Sequence, residues 1–350
     1  MTVTTAGAQT RCEIMQQPRM WMDTLLRIEQ ASSRVSSNAV ITGAGTSYYA
    51  AMAIEAAWPG SRAVPSTELL FDFERYLAPA GQLISLARSG DSPESAAVVE
   101  KIHAALPAAN HLAITCNPAG RLANMPGVEA LLLHPCTNDH SLVMTSSFSC
   151  LALAGILLGR AAEWKCKVAE ACESVERLLC ELEAGAKVVA SEIRERVVFL
   201  APPSMAGAAR EASLKLLEMT AGRVVPLFES YLGLRHGPMS FLECDTAVVC
   251  FVSSDPSVRR YELDLITELR SKRLGRLIGV IPEDAPRDPF HTVLSTRACS
   301  LPDWLRTPFD IVFAQLLGLH LSLKHGFDPD NPSPDQVITR VVQGVRVYED

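Results

Sequence analysis

NAVITGAGTSYYAAMAIEAAW, residues 38–58, contains the pattern that decides the fold. NAVIT has the length and apolar character of a buried strand, GAGTS is a glycine-containing loop, and YYAAMAIEAAW has the composition of a helix. The strand–loop–helix order recurs at QLISLARSGDSPES in the same half and at ERVVFLAPPS in the second half. Strands that alternate with helices form a parallel sheet with helices on both faces. We therefore predict an α/β fold with two lobes of related design.

The two predicted lobes are joined by a long charged helix over about residues 163–187. The N-terminal segment, residues 1–34, is expected to be helical, because MWMDTLLRIEQ has apolar residues at helical spacing. The first lobe with its connecting helix occupies residues 35–187, and the second lobe occupies residues 188–350. NPSPDQVITRVVQGVRVYED, at the end of the second lobe, is expected to be a closing segment rather than a linker.

Composition and charge exclude several classes of function. The chain has 350 residues, 48% of them hydrophobic, and a formal net charge of −7, which repels nucleic acid. The N-terminus lacks the apolar core of a signal peptide, and no apolar run is long enough to span a membrane, so we expect a cytoplasmic protein. The ten cysteines form no C-x-x-C pair, and cysteine and histidine lack the spacing of a zinc site. We expect no metal, no membrane and no nucleic acid as a partner.

The loop GAGTS has features of a phosphate site. Gly45 permits a tight turn, and Thr46 and Ser47 offer hydroxyl donors beside the unpaired N–H groups of a helix N-terminus. An ordinary Ser/Thr helix cap explains the same residues equally well. The dinucleotide motif G-x-G-x-x-G fits only weakly, because Tyr48 occupies the place of the third glycine. From this loop alone, a phosphate site and a simple cap both remain open.

A second loop, LARSGDSPES, favours the phosphate interpretation. Arg88 can donate two hydrogen bonds to a phosphate, and Ser89 and Ser92 can donate their hydroxyl groups from the turn. Because neighbouring parallel strands place the loops that follow them at one edge of the sheet, the two loops should meet. Thr145 and Ser146, in TSSFS, are candidates for a third wall of the same pocket.

These loops and several later motifs resemble the sugar isomerase (SIS) family. G-x-G-T-S followed by S-G-x-[ST] is similar to the pattern found in the isomerase domain of glucosamine-6-phosphate synthase. ITGAGTS, LARSGDSPES, MTSSFS, REASLKLLEMTAG, LRHGPMSF and VVQGV resemble the AgaS-type galactosamine-6-phosphate deaminases/isomerases, over nearly the whole chain. The resemblance implies two SIS lobes, each a flavodoxin-like three-layer sandwich of a parallel sheet flanked by helices.

The resemblance also implies roles for individual residues. Ser47, Ser89 and Ser92 match family hydroxyl groups that bind the sugar phosphate. Glu218 matches the glutamate that moves a proton between C1 and C2, and His236 matches a histidine that assists ring opening from a neighbouring subunit. This chemistry needs neither a metal nor an organic cofactor. The expected assembly is a homodimer or a dimer of dimers with composite sites, and the expected ligand is a hexosamine 6-phosphate.

Three positions differ from the pattern of the synthase. Arg88 stands where the synthase has an amide side chain, and Ala87 stands where it has a serine. Gln343 occupies the place of a lysine that takes part in ring opening. Glutamine can neither form a Schiff base nor accept a proton at neutral pH. Gln343 is therefore expected only to hydrogen-bond the open-chain sugar.

The spacing of Glu211, Lys215 and Glu218 allows a simpler interpretation. These residues lie at i, i+4 and i+7 and share one helix face, where such a charge ladder is commonly exposed to solvent. Lys215 could hold a substrate hydroxyl, tune Glu218, or simply be an exposed lysine. His236, in a loop beside Gly237, could equally be structural. Spacing favours the structural interpretation, and the family resemblance favours catalysis.

The leading hypothesis is an enzyme that converts D-galactosamine 6-phosphate to D-tagatose 6-phosphate and ammonia. Glucosamine-6-phosphate deaminase and a neutral ketose/aldose phosphate isomerase are the alternative enzymes, because the sequence does not reveal the hydroxyl orientation that the site prefers. A phosphosugar-sensing module is the alternative from a different class. It is disfavoured because Glu218 and His236 are both present and no DNA-binding extension precedes residue 35.

Overall fold

The structure is a computed structural model that describes residues 5–296, 298, 301–333, 335, 337–342 and 344–348. Two helices precede the first sheet, α1 (Ala8–Met15) and α2 (Gln17–Gln30). Trp21 and Leu25 of α2 are fully buried, and the Trp21 ring packs edge-on against Phe309 at 4.9 Å between centroids. The helices expected within residues 1–34 are therefore present, and α2 is part of the main core.

The first lobe is a parallel sheet of five strands with helices on both faces. Its strands are β1 (Val40–Gly43), β2 (Arg62–Pro65), β3 (Gln82–Ala87), β4 (Asn110–Thr115) and β5 (Val128–Leu132). They lie in the order β2-β1-β3-β4-β5. The helices are α3 (Thr46–Ala57), α4 (Ser66–Asp72), α5 (Pro93–Ala105) and α6 (Ser146–Leu157). The long helix α7 (Ala161–Glu192) leads to the second lobe.

The second lobe repeats this topology. Its strands are β6 (Arg196–Ala201), β7 (Val225–Ser230), β8 (Ala247–Phe251), β9 (Arg276–Val280) and β10 (Thr292–Leu294). Its helices are α8 (Ala206–Met219), α9 (Tyr231–Leu234), α10 (Pro256–Ser271) and α11 (Asp303–Lys324). The sheet order β10-β9-β8-β6-β7, taken from the β7 end, is the second, first, third, fourth and fifth strand of the lobe. Both sheets therefore have the flavodoxin-like order, which confirms the predicted pair of related α/β lobes.

Alternate residues along each strand face different cores. Val197 and Phe199 of β6 face a central core that also contains residues of α2, α3, α6, α7, α8 and α11. Val198 and Leu200 face the opposite side, which α10 covers. In the first lobe, α4 and α5 cover the outer face. The central core lies between the two sheets and joins the lobes. Among the described residues, no helix is both long enough and apolar enough to cross a membrane.

The helices α3 and α8, one from each lobe, pack with almost no space between their backbones. A Cβ atom on Gly207 of α8 would lie 2.7 Å from the carbonyl oxygen of Tyr49 and 3.1 Å from the backbone nitrogen of Ala53, both on α3. Backbone atoms are less able to move aside than the end of a flexible side chain. Glycine at position 207 is therefore required for this approach, which positions the site described below.

Replacing Gly207 with alanine should lower the free energy of unfolding by about 1–3 kcal/mol, the usual cost of overpacking, because the new methyl group collides with the α3 backbone. Gly318→Ala is the matched control, since Gly318 also lies in a helix but its Cβ would meet mainly the flexible Met219 side chain, at 2.7 Å from Sδ. Thermal and denaturant unfolding measure the difference. Equal stability of the two variants would contradict the close packing of α3 on α8.

Candidate active site

Two helix N-termini lie at the edge of the first sheet where the paired strands β1 and β3 end. We call the loops that follow these strands, residues 43–47 and 88–93, the phosphate loops. In the described chain, neither α3 nor α5 has a capping side-chain hydrogen bond at its N-terminus. Gly45, with φ of 54°, turns the chain directly into α3. At α3 the N–H groups of Ser47 and Tyr48 already bind the carbonyl oxygens of Ala44 and Gly45. The partial positive charge of two neighbouring helix starts is still suited to binding an anion.

The serines predicted to bind phosphate all lie in the phosphate loops. Ser47 is nearly buried in the first turn of α3, and Ser89 and Ser92 are half-buried. The Ser89 Oγ atom accepts a hydrogen bond from the N–H of Asp91 at 3.3 Å, and the Ser92 hydroxyl donates to Glu94 Oε2 at 2.9 Å. The fold therefore brings the three serines to one edge of the sheet, and their contact with phosphate stays a prediction.

The residues of the predicted third wall contact an internal carboxylate. Thr145 and Ser146, at the start of α6, have no exposed surface. The Asp139 carboxylate accepts hydrogen bonds from the Ser146 hydroxyl, from the N–H of Thr145 at 2.7 Å and from the N–H of Ser147 at 2.9 Å. An internal carboxylate thus occupies this helix N-terminus. The Ser146 hydroxyl is thus held by Asp139, whereas the buried Thr145 Oγ1 has no hydrogen-bond partner among the described residues, and the contact of both with a substrate stays a prediction.

In the second lobe, the loop that corresponds to the second phosphate loop binds internal carboxylates. It follows β8, as the second phosphate loop follows β3. Asp303 accepts hydrogen bonds from the hydroxyl groups of Ser253 and Ser254 and from the N–H of Ser254 at 2.7 Å. Asp255 caps α10 by accepting from the N–H of Ser257 at 2.8 Å. Of the two equivalent loops, the one in the first lobe is therefore the one open to an external anion.

Arg88 binds protein groups rather than facing an open pocket. Its Nη1 atom donates to the carbonyl oxygens of Ser141 at 3.2 Å and Leu142 at 3.0 Å, and its Nη2 atom donates to that of Arg340 at 2.7 Å. Burial lowers the pKa of the guanidinium to about 10, so it stays charged at neutral pH. These three carbonyl oxygens occupy three of the five guanidinium N–H donors, so the predicted hydrogen bonds from Arg88 to a phosphate stay a prediction.

Thr46, Glu211, Lys215 and Glu218 form a cluster between the lobes, called here the Lys215 cluster. The Lys215 Nζ atom lies 2.5 Å from Glu218 Oε2 and 3.4 Å from Glu211 Oε1. It donates to Thr46 Oγ1 at 3.1 Å, and the Thr46 hydroxyl donates to Glu211 Oε1 at 3.3 Å. The side chains of Glu211 and Lys215 have no exposed surface, whereas that of Glu218 is 32% exposed.

This burial decides between the interpretations that the spacing left open. Lys215 is not an exposed lysine, and its helix face is not a solvated ladder of charges, because two of the three members are completely buried. Lys215 binds Glu218 directly, as the tuning hypothesis requires. Thr46 also differs from its expected role, since its hydroxyl group joins the first phosphate loop to α8.

Burial and charge together set the protonation of the Lys215 cluster. Burial raises the pKa of Glu211 to about 8, and the nearby charge of Glu218 contributes to this increase. Burial lowers the pKa of Lys215, but the charges of Glu211 and Glu218 outweigh it, so the pKa is raised overall. Glu211 therefore carries a proton at neutral pH while Lys215 remains an ammonium. Glu218, the partly exposed member, is placed to exchange a proton with a ligand.

His236 lies away from the Lys215 cluster of its own chain. It is exposed in the loop after α9, where its N–H donates to the carbonyl of Gly233 at 2.9 Å. The Arg235 Nε atom donates to Glu268 Oε2 at 2.7 Å, and this contact joins the loop to α10. Helix α10 covers the outer face of the second sheet, whereas α8, with Glu218, packs on the inner face. In the described residues, no hydrogen bond joins the His236 imidazole to Glu218.

Two important residues were not assigned to the site from sequence. Glu211 had a usable signal, because it lies one helical turn before Lys215 on the same face. Asp139 had no comparable signal, since it acts through backbone N–H groups six and eight residues further along the chain. Gln343 lies outside the described residues, and its predicted contact with the open-chain sugar therefore stays a prediction.

The chain is similar to proteins of known name over nearly its whole length. It is 36% identical over 373 residues to D-galactosamine-6-phosphate deaminase AgaS of Escherichia coli, a match that covers 98% of this chain and 96% of the relative. It is also 36% identical to the protein of the same name from Shewanella sp. strain ANA-3, with 97% and 91% covered. No protein-family model matches the chain.

The fold also matches solved structures. The crystal structure of tagatose-6-phosphate ketose/aldose isomerase from Escherichia coli superposes with a TM-score of 0.82 at 32% sequence identity. The match covers 95% of this chain and 100% of the Escherichia coli chain. The likeness therefore includes both lobes and the helices between them.

Glutamine in place of Glu211 should weaken the dependence of stability on pH. The pKa of Glu211 is about 8 in the folded protein and about 4.3 in an unfolded chain, so the folded state holds an extra proton between these values. The stability from this group is full below its unfolded pKa and is lost as the pH rises through about 8. Between these values Glu211 contributes a fall of about 1.4 kcal/mol per pH unit in the unfolding free energy, and Glu211→Gln should remove this fall, which makes the slope less negative by that amount.

Denaturant unfolding of the wild type and Glu211→Gln across this pH range measures that slope. Glu173→Gln, on an exposed side chain of α7, is the matched control and should follow the wild type. Parallel curves for the wild type and Glu211→Gln would show that Glu211 is ionised in the folded protein at neutral pH.

Proposed function

Because the chain belongs to the AgaS family of sugar isomerase (SIS) proteins, we propose that it converts D-galactosamine 6-phosphate and water to D-tagatose 6-phosphate and ammonia. The observation that carries the proposal is the position of the Lys215 cluster directly beside the open phosphate loops. Thr46 belongs to both, since it is the first residue of α3 and its hydroxyl group binds Lys215 and Glu211. A sugar held by its phosphate at the start of α3 therefore lies next to Glu218.

The phosphate loops would hold the 6-phosphate of the substrate. The starts of α3 and α5 supply a partial positive charge, and the hydroxyl groups of Ser47 and Ser89 supply donors. The Ser92 hydroxyl would join them by releasing Glu94. Gly45 has no side chain to prevent close approach of the phosphate to the backbone. Each hydrogen bond to a charged phosphate oxygen is worth about 1.5–3 kcal/mol. Binding through this group leaves C1 and C2 of the open-chain sugar free to reach the Lys215 cluster.

Glu218 is the base of the proposed reaction. In the open-chain aldehyde, its carboxylate removes the proton from C2, and the electron pair of that C–H bond forms the C1=C2 double bond of an enolamine as O1 gains a proton. Glu218 then returns its proton to C1 while the nitrogen lone pair forms a C2=N bond, which leaves a protonated imine at C2. Water adds to the imine, and ammonia leaves, giving the ketose. One carboxylate can serve both carbons, because they are adjacent and on one face of the enolamine.

Lys215 and Glu211 prepare Glu218 for this role. Lys215 donates to Glu218 Oε2 at 2.5 Å and so fixes the orientation of the carboxylate, while the exposed part of the side chain faces the ligand. The buried, protonated Glu211 adds no second negative charge beside the carboxylate. The cluster thus contains one ammonium and one carboxylate, an arrangement that avoids an unpaired buried charge.

The sugar ring must open before this chemistry begins, and we assign ring opening to His236 of a second copy of the chain. Within one chain the loop of His236 is joined to α10, on the outer face of the second sheet, and the assembly that we propose is therefore a homodimer with composite sites. An imidazole can exchange protons near neutral pH. Gln343 would hydrogen-bond the open chain without acting as a base. We place the enzyme in the cytoplasm, where sugar phosphates are produced.

Neutral ketose/aldose isomerisation is the second candidate function. It is favoured by the name of the structurally similar Escherichia coli protein, a tagatose-6-phosphate ketose/aldose isomerase. The same base would move the same proton, with a hydroxyl group at C2 in place of the amine. The two candidates differ in one product, because only an amino sugar releases ammonia.

Purified protein should release ammonia and a ketose phosphate in equal amounts from D-galactosamine 6-phosphate. Glu218→Gln keeps the shape of the side chain but accepts no proton, so kcat should fall at least about 10²-fold while the Kd for the sugar phosphate changes little. Glu173→Gln is the matched control. D-glucosamine 6-phosphate and the neutral tagatose phosphate are tested alongside. Ammonia from neither hexosamine phosphate, or an active Glu218→Gln protein, would contradict the proposal.

Mixing inactive Glu218→Gln and His236→Ala chains tests whether the site is composite. After subunit exchange, half of the dimers contain one chain of each type, and one of the two sites in such a dimer is intact. Activity should therefore return to about a quarter of the wild-type value. Absence of recovery, with exchange verified by mass spectrometry of differently tagged chains, would place Glu218 and His236 in the same subunit's site.

A further inference from the structure

Two arginines join the C-terminal segment, residues 337–342, to the first lobe. Arg88, at the start of the second phosphate loop, donates through Nη2 to the carbonyl oxygen of Arg340 at 2.7 Å. Arg340 in turn donates through Nε to the carbonyl oxygen of Asp139 at 2.7 Å and through Nη2 to Asn138 Oδ1 at 2.5 Å. Arg88 therefore binds the segment that carries Arg340, and both arginines bind the loop before α6.

We propose that Arg88 and Arg340 form a clasp that positions the C-terminal segment against the second phosphate loop and tightens when that loop binds a phosphate. Arg88 is then a positioning residue, not a ligand of the phosphate. The proposal rests on the proposed function only in that a sugar phosphate is the natural occupant of the loop.

The hydrogen bonds of the clasp explain why phosphate would tighten it. The guanidinium of Arg88 binds carbonyl oxygens of Ser141, Leu142 and Arg340, and these acceptors carry no net charge. Two positive side chains are thus held near each other, and their repulsion contributes to the lowered pKa of Arg88. A phosphate beside Ser89 would lie one residue from Arg88, whose guanidinium contacts the Arg340 backbone. The charge of the phosphate would offset the repulsion between the two arginines without displacing any of the carbonyl hydrogen bonds.

The burial of Arg88 supports a positioning role. The residue is only 7% exposed, so its guanidinium is held in place by its carbonyl partners rather than by solvent. These partners come from two distant parts of the chain, the loop before α6 and the C-terminal segment. A change in the phosphate loop is therefore transmitted to both segments through one side chain.

Limited proteolysis with subtilisin, followed by mass measurement of the intact chain, tests the clasp. Cleavage in the C-terminal segment of the wild type should slow several-fold when inorganic phosphate is added. In Arg340→Ala, cleavage should be faster and phosphate should no longer protect. Arg346→Ala is the matched control: it removes an exposed arginine that stacks on Tyr348 in the same part of the chain, and it should behave as the wild type.

Kinetics of the same variants separate positioning from phosphate binding. Arg340→Ala should lower kcat about tenfold, because misplaced groups around a substrate reduce turnover, while KM changes less than about threefold. Arg88→Lys retains the charge but not the planar set of donors, and should have the same effect. The double variant should be no worse than the more affected single one, because both break one clasp.

If Arg340→Ala is cleaved at the wild-type rate and is still protected by phosphate, the proposal is overturned. Additive effects of the two substitutions in the double variant would also overturn it. If Arg88→Lys fails to fold, Arg340→Ala alone still tests the proposal, because Arg340 is partly exposed. Proteolysis with inorganic phosphate does not depend on turnover. Protection in a protein that releases no ammonia would therefore support the clasp while contradicting the proposed reaction.

Discussion

The complete burial of the Lys215 ammonium is the constraint on which the rest of the structure depends. Removing a charge from water costs several kcal/mol unless good partners surround it. Here the partners come from both lobes: Glu211 and Glu218 from α8, and Thr46 from the first phosphate loop. The lobes must approach closely enough to bring these groups together, which requires Gly207 at the contact between α3 and α8. One polar cluster therefore stabilises the junction of the lobes and supplies the proposed base.

The two lobes share a topology but differ in which helix N-termini bind an internal carboxylate. In the second lobe, Asp303 and Asp255 bind the hydroxyl and N–H donors of the loop that follows β8. In the first lobe, Asp139 does the same at the start of α6. At the starts of α3 and α5, Glu211 and Glu94 accept from the hydroxyl groups of Thr46 and Ser92, but in the described chain no side chain caps the backbone N–H groups there. The fold thus provides several helix N-termini of the same kind, and internal carboxylates leave one pair available to a substrate.

The sequence predicted the regular part of the fold well and the distant contacts poorly. The apolar run QLISLA coincides with β3 (Gln82–Ala87), whereas β2 (Arg62–Pro65) and β10 (Thr292–Leu294) were not predicted, because short edge strands have little apolar pattern. The family resemblance proposed Glu218 as the base, but spacing alone suggested an exposed ladder, since Thr46 of α3, which contacts Glu211 and Lys215, is far away in sequence. The contact of Arg88 with Arg340 was not predicted, because a partner 252 residues away leaves no local signal.

The central claim is that Glu218, held by Lys215, moves the proton between C2 and C1. Nuclear magnetic resonance of D-galactosamine 6-phosphate in deuterated water tests it most directly, because loss of the C2 proton signal reports the first chemical step without relying on ammonia release. The wild type should replace the C2 proton with deuterium or carry it into product as turnover proceeds. Glu218→Gln, with the sugar phosphate bound, should leave the C2 proton in place. Continued exchange at C2 in that variant would contradict the account and would make Glu211, the other carboxyl group of the cluster, the candidate base.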